Sequence, residues 1–346
     1  LATVRAAMRR VESWVDAKDG KNKFGAFRKI VFSPIKDAAD RYRTDKVVAL
    51  RNFRAAFETI APTMKAGLIA APELNYTFGK DSGGVALNEI LHAIIHTGND
   101  SNKRKLLLGR EWATEQPDGS LDTSKWDSFI ARLVAEGKLT AAHYDFVQTV
   151  WDQLESLKPL AQRAHRDAYG KYFNEVTAQE FVDPFGVTRR GGYAPAQPDS
   201  RIVKDNELKK LIEEGKDGMA YAFPGTSKGF TNSRVEYNKP LLLDLRTMPQ
   251  HIDKVLLFSH MEMPVRDAAK LIASKSVSTP LNRVDPAAIN GMLMPWLNRS
   301  ARQQVTTPVA GAGWMMRMLN TLRNRTSMAT MFANVSNTAQ QITGFS

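Results

Sequence analysis

Apolar residues recur at helical spacing through most of the chain. In "VRAAMRRVESWV", Val4, Met8, Val11 and Val15 fall near one face, with Arg5, Arg9 and Arg10 elsewhere. "DKVVALRNFRAAFETI" repeats the pattern with Val48, Phe53, Phe57 and Ile60, so both segments predict basic amphipathic helices. From Ala86 to about Val176 the pattern stays helical. Thr123 or Ser124 is placed to cap one helix and Thr140 another, because each offers a side-chain oxygen to the unpaired amides of a first turn. Pro159 lies inside the longer of these segments and predicts a kink or a division. Helical spacing returns at "PQHIDKVLLFSH" after a stretch rich in Gly, Pro and Tyr.

Four regions follow from these changes. Residues 1–85 form a basic helical N-terminal region, 86–180 a helical core, 181–246 a Gly/Pro-rich insert, and 247–346 a helical C-terminal region with a Met-rich, acid-free end. The fold class expected is mainly α: an elongated multi-helix body with a loop and short-strand insert. No apolar run reaches the ~18 residues that a spanning helix requires.

Charge adds a direction to this picture. The 346 residues carry 48 Lys+Arg against 36 Asp+Glu, a net +12. Residues 1–57 hold 14 of the bases and 6 of the acids, so most of the excess is local. A basic face attracts polyanions without reading sequence, and it attracts an anionic membrane surface by the same physics. Arg5, Arg9, Arg10, Lys21, Lys23, Lys103, Arg104 and Lys105 are the candidate nucleic-acid contacts. After Asp285 no acid occurs, while five arginines and seven of the thirteen methionines do. There Trp314, Met315, Met318 and Leu322 share one predicted helix face, a candidate contact with a partner or a membrane, since Met side chains repack readily.

Candidate chemistry is sparse. The absence of cysteine excludes disulfides, thiolate catalysis and Cys-based zinc sites. His92 and His96 are four apart with Glu89 one turn earlier, so all three can share a helix face. A zincin, however, needs Glu directly after the first His, and Ala93 stands there. "GKDSGG" at 79–84 lacks the phosphate-loop spacing, and no nucleophile motif forms a usable set. No catalytic residue, metal or cofactor is expected. Because Leu1 is not Met, the chain is expected to belong to a longer polypeptide.

"LHAIIHTGNDSNKRKLLLGREW" at 91–112 reads as a structural corner. Gly98 and Asn99 can turn the chain after one helix, Ser101 or Asn102 can cap the next, and Leu106 to Leu108 can feed its core face. Arg110 is left available to phosphate, alongside the three bases before it. In "RRGGYAPAQPD", Gly191 and Gly192 permit backbone conformations closed to other residues. Pro195 and Pro198 then stiffen an extended segment that Tyr193 can anchor to a helical body.

Three blocks carry a resemblance: "HTGNDSNKRKLLLG" at 96–109, "YGKYFNEV" with "GGYAPAQPD" within 169–199, and "LRNRTSMATMFANVSNTAQQITG" at 322–344, which contains Asn334 and Gln341. Together they resemble the large polyvalent proteins of bacteriophages, especially the inner-virion giants that short-tailed phages eject into the host. The resemblance implies a helical, non-catalytic segment of a DNA-ejection protein, packaged in the virion and helping to form a conduit across the host envelope. Its implied partners are other ejection proteins, further copies of itself, passing phage DNA and the host membrane. The alternative is a nucleic-acid-binding module of a virion RNA polymerase or antirestriction protein. A hydrolase acting on cell wall or nucleic acid is the remaining class.

Overall fold

The computed structural model describes residues 2–22, 24–65, 67–74, 84–197, 199 and 240–302, with side chains from Arg9 to Ala301. The expected mainly α fold is what it contains. Among the described residues the helices are α1 (Ala2–Lys18), α2 (Ser33–Glu58), α3 (Leu87–His96), α4 (Asp100–Gly109), α5 (Ser124–Ala135), α6 (Ala141–Tyr169), α7 (Thr247–Ala273), α8 (Lys275–Val284) and α9 (Met294–Arg302). Two short antiparallel hairpins accompany them. β1 (Thr114–Glu115) pairs with β2 (Leu121–Asp122), and β3 (Phe181–Val182) pairs with β4 (Thr188–Arg189). The second hairpin lies in the expected insert; the first interrupts a stretch read as helical.

Two apolar cores are threaded by the same pair of long helices. The first half of α2, with Ile35, Ala38 and Ala39, joins Met261, Val265 and Ala268 of α7 in one core. Its second half, with Ala49, Phe53 and Phe57, joins Met248, Ile252 and Leu256 in the other. The two helices therefore run in opposite directions from core to core, and Leu257 packs against both. Polar ties seal the crossing: Lys46 Nζ lies 2.7 Å from Asp253, and His260 Nε2 lies 2.8 Å from Asp45. The N-terminal and C-terminal regions thus share a core, formed by Val11 and Val15 of α1 with Trp296 and Leu297 of α9.

Several local expectations change. Val48 is exposed, because a 3.6-residue period set by Phe53 and Phe57 puts Ala49 and Leu50 on the buried stripe and leaves Val48 about 140° away. Pro159 neither ends nor divides α6, which continues to Tyr169 and stops at Gly170 in the left-handed conformation. Thr140 does stand at the N-cap of α6, as expected, where its amide donates to His143 Nδ1 at 3.0 Å. At α5 it is Asp122, rather than Thr123 or Ser124, whose carboxylate accepts an amide, that of Ser124 at 3.0 Å. Among the described residues no helix is long and apolar enough to cross a membrane.

Candidate functional site

The corner between α3 and α4 is a buried, hydrogen-bonded polar position in the first core. Asn99, not Ser101 or Asn102, is the cap, and its Oδ1 accepts the Asn102 amide at 3.0 Å. Only a residue in extended conformation one step before the helix can present its side chain to that amide, and Asn99 holds that geometry. Leu106 and Leu107 then enter the core, while Leu108 is half-buried.

The other face of this corner clasps the Gly-Gly-Tyr segment. The Gly98 carbonyl accepts amides from Gly192 at 2.8 Å and Gln179 at 3.0 Å. Asn99 Nδ2 donates to the Gly192 carbonyl at 3.0 Å, and Asn102 Nδ2 donates to the Ala194 carbonyl at 2.8 Å. Asn99 and Asn102 are both fully buried, where an unmade hydrogen bond costs roughly 1–3 kcal/mol; these bonds avoid that loss. Trp151 of α6 backs the clasp and donates Nε1–H to the Ile95 carbonyl at 2.9 Å. Its ring leaves no room for a side chain at Gly98 or Gly192. Tyr193 is anchored as expected: its amide donates to Glu155 Oε1 at 3.0 Å and its ring lies 5.5 Å from that of His251.

The structure therefore brings together six residues singled out from sequence, namely Gly98, Asn99, Asn102, Gly191, Gly192 and Tyr193. Trp151, Gln179 and Glu155 complete the clasp. Nothing in their local sequence marks them, since each acts across a chain separation that periodicity does not encode. Asn334 and Gln341 lie outside the described residues, as do Trp314, Met315, Met318 and Leu322.

The histidines of α3 face different partners rather than a common ligand. His92 Nε2 lies 2.8 Å from Thr247 Oγ1, and its Nδ1 accepts the Asp244 amide at 3.3 Å. His96 Nδ1 lies 3.3 Å from Asn102 Nδ2, and the two imidazoles meet edge to face at 4.7 Å. Glu89 folds back to accept the Ala86 amide at 3.0 Å, so it caps its own helix instead of joining the pair. Among the described residues no group of three His, Asp or Glu could hold a metal ion.

Burial, assisted by the nearby Arg110 charge, holds the His92 imidazole down at about 3. Burial, assisted by Lys254, does the same to His251, also at about 3. An unfolded histidine titrates near ~6.5. Below that value the unfolded chain binds protons that the folded chain excludes, so this stability is complete above the unfolded value and is lost as pH falls towards 3. Between pH 7 and 5 each group is expected to remove roughly 2 kcal/mol. Urea midpoints at the two pH values, compared between wild type and His92→Gln, check this: the variant should show the shallower decline, and identical declines would contradict it.

The expected phosphate contacts divide. Arg9, Arg10 and Lys21 are exposed; the Arg5 side chain and Lys23 lie outside the described residues. Arg104 donates to the Gly119 carbonyl at 2.8 Å and ion-pairs with Glu115, holding the β1–β2 hairpin on α4. Lys105 is half-buried. Lys103 lines a pocket of about 350 Å³ with Ile94, Trp126, Tyr144, Gln179 and Phe181. Arg110 is not available to phosphate. It is buried, 3.3 Å from Asp199, and donates to the Leu241 carbonyl.

No family model matches the chain. No solved structure is significantly similar to it. A stretch of 121 residues is 26% identical to Protein disulfide-isomerase erp38 of Neurospora crassa, covering 32% of this chain and 32% of that protein. The match spans about a third of that protein's length. Disulfide exchange proceeds through cysteine thiolates, and this chain has no cysteine.

Proposed function

We propose that this chain is a non-catalytic helical segment of a phage DNA-ejection protein, carried inside the virion and helping to form a conduit for genome delivery across the host envelope. One observation carries the reading. The two internal blocks that resemble such proteins, 96–109 and 169–199, meet in a single buried clasp whose amides and carbonyls bind each other. Motif residues engaged in this way serve tertiary architecture, which supports a scaffold over a reaction centre. Its partners in this reading are other ejection proteins, further copies of the chain and passing phage DNA. A second reading, a nucleic-acid-binding module of a virion RNA polymerase or antirestriction protein, is favoured by the exposed Arg9, Arg10 and Lys21.

Antibodies against the chain provide the test. It is expected in purified virions and, after adsorption, in the host envelope fraction. Recovery with cytoplasmic DNA, released by nuclease, would favour the second reading. Absence from virions would overturn both.

A further inference from the structure

The turn that joins α1 to α2 presents apolar side chains to solvent in a basic setting. Phe24 is 87% exposed and Ile30 is 56% exposed. Their neighbours point the other way: Val31 and Phe32 are buried, and the Phe27 ring packs edge-on against Trp14 at 5.4 Å. Trp14 is itself tied to Asp285 through Nε1–H at 2.9 Å. The root of the turn is thus fixed in the core while its tip projects.

The projection is held by hydrogen bonds. Asp19 accepts the Phe27 amide at 3.1 Å and the Arg28 amide at 2.8 Å, and Asn22 Oδ1 accepts the Phe24 amide at 3.0 Å. Gly20 and Lys21 both adopt left-handed backbone, at φ 61° and 62°. Gly25 lies against the Asp19 carboxylate so closely that a Cβ would fall 2.1 Å from its carbon. A segment ordered in this way loses little conformational freedom on docking.

Its charge is net basic, since residues 9–30 hold seven Lys/Arg and three Asp/Glu. The acids nearby are engaged, Glu12 and Asp16 by Arg28 and Asp19 by backbone amides. Arg9, Arg10, Lys21 and Lys29 are exposed, and no ion pair joins them to an acid among the described residues. Lys21 and Lys29, exposed in the same turn as Phe24 and Ile30, complement an anionic lipid surface, where headgroups meet the charges and the acyl boundary receives the apolar side chains. A nucleic-acid strand fits less well. Bases stack on successive aromatic faces, and Ile30 offers none.

We infer that the turn carrying Phe24 and Ile30 forms a membrane-surface anchor, with these two side chains entering the interface of an anionic bilayer and Lys21 and Lys29 holding its headgroups. This needs only the turn and its surroundings, and it stands apart from the ejection reading. The purified chain is mixed with vesicles of equal parts phosphatidylcholine and phosphatidylglycerol, or of phosphatidylcholine alone, and bound protein is separated by flotation. Preferential binding to the anionic vesicles is expected, weakening with salt. Phe24→Ala should reduce partitioning about tenfold or more, and Phe24→Trp should retain it. Because Phe24 is exposed, neither change should alter the thermal melt. Equal binding by wild type and Phe24→Ala would overturn the inference. So would failure to bind vesicles, including the case in which duplex DNA is bound instead.

Discussion

Gly98→Ala is expected to destabilise the protein by about 3 kcal/mol, as much as overpacking a rigid core commonly costs. A Cβ at this position would lie 2.4 Å from the Trp151 ring, and that ring cannot retreat without breaking its hydrogen bond to the Ile95 carbonyl. Moving the Gly98 backbone instead would stretch the two bonds its carbonyl accepts from Gly192 and Gln179. The penalty is steric, since Gly98 is not among the glycines with positive φ. Gly67→Ala provides the control, because a Cβ there would meet nothing within 4 Å. Urea midpoints should separate the two variants at similar m values. A Gly98→Ala midpoint equal to that of Gly67→Ala would show that the clasp tolerates a methyl group, and with it that the corner is not rigid.

Much of this corner was readable because its residues have few other uses. Two glycines before an aromatic residue, and a Gly-Asn step after an apolar helical run, restrict the backbone whatever surrounds them. The identity of the cap was not readable in the same way. Asn99, Ser101 and Asn102 all supply a side-chain oxygen near the helix start, and only the extended backbone of Asn99 selects among them. The β1–β2 hairpin had a signal that helical periodicity concealed: Pro117, Asp118 and Gly119 form turn chemistry, and Gly119 adopts φ 82°. His92 and His96 do lie one turn apart, but α3 is buried nearly all round, so a shared helix face does not give a shared ligand. Arg110 is the clearest limit. A cation ending a basic run reads as surface, and its burial depends on Asp199, 89 residues away.

That buried pair yields the other large effect. Arg110→Met should destabilise the protein by about 3–5 kcal/mol, the usual cost of removing one member of a buried ion pair. Asp199 is fully buried, and the guanidinium also satisfies the Leu241 carbonyl and lies 5.5 Å from the Trp112 ring. Three contacts are therefore lost together while the carboxylate remains. Arg110→Met combined with Asp199→Leu removes both charges, and the double variant should be less destabilised than the sum of the two single changes. Urea unfolding of all four proteins measures that difference; strict additivity would mean that the pair is not coupled. A second readout follows from His92, whose imidazole is held low by burial first and by Arg110 next. Removing the guanidinium should move its titration upward from about 3, yet burial should keep it below the unfolded value. An imidazole resonance of His92 unchanged in titration between wild type and Arg110→Met would place the Arg110 charge outside its electrostatic reach. An upward shift would tie the acid sensitivity of the corner directly to the ion pair that closes its far side.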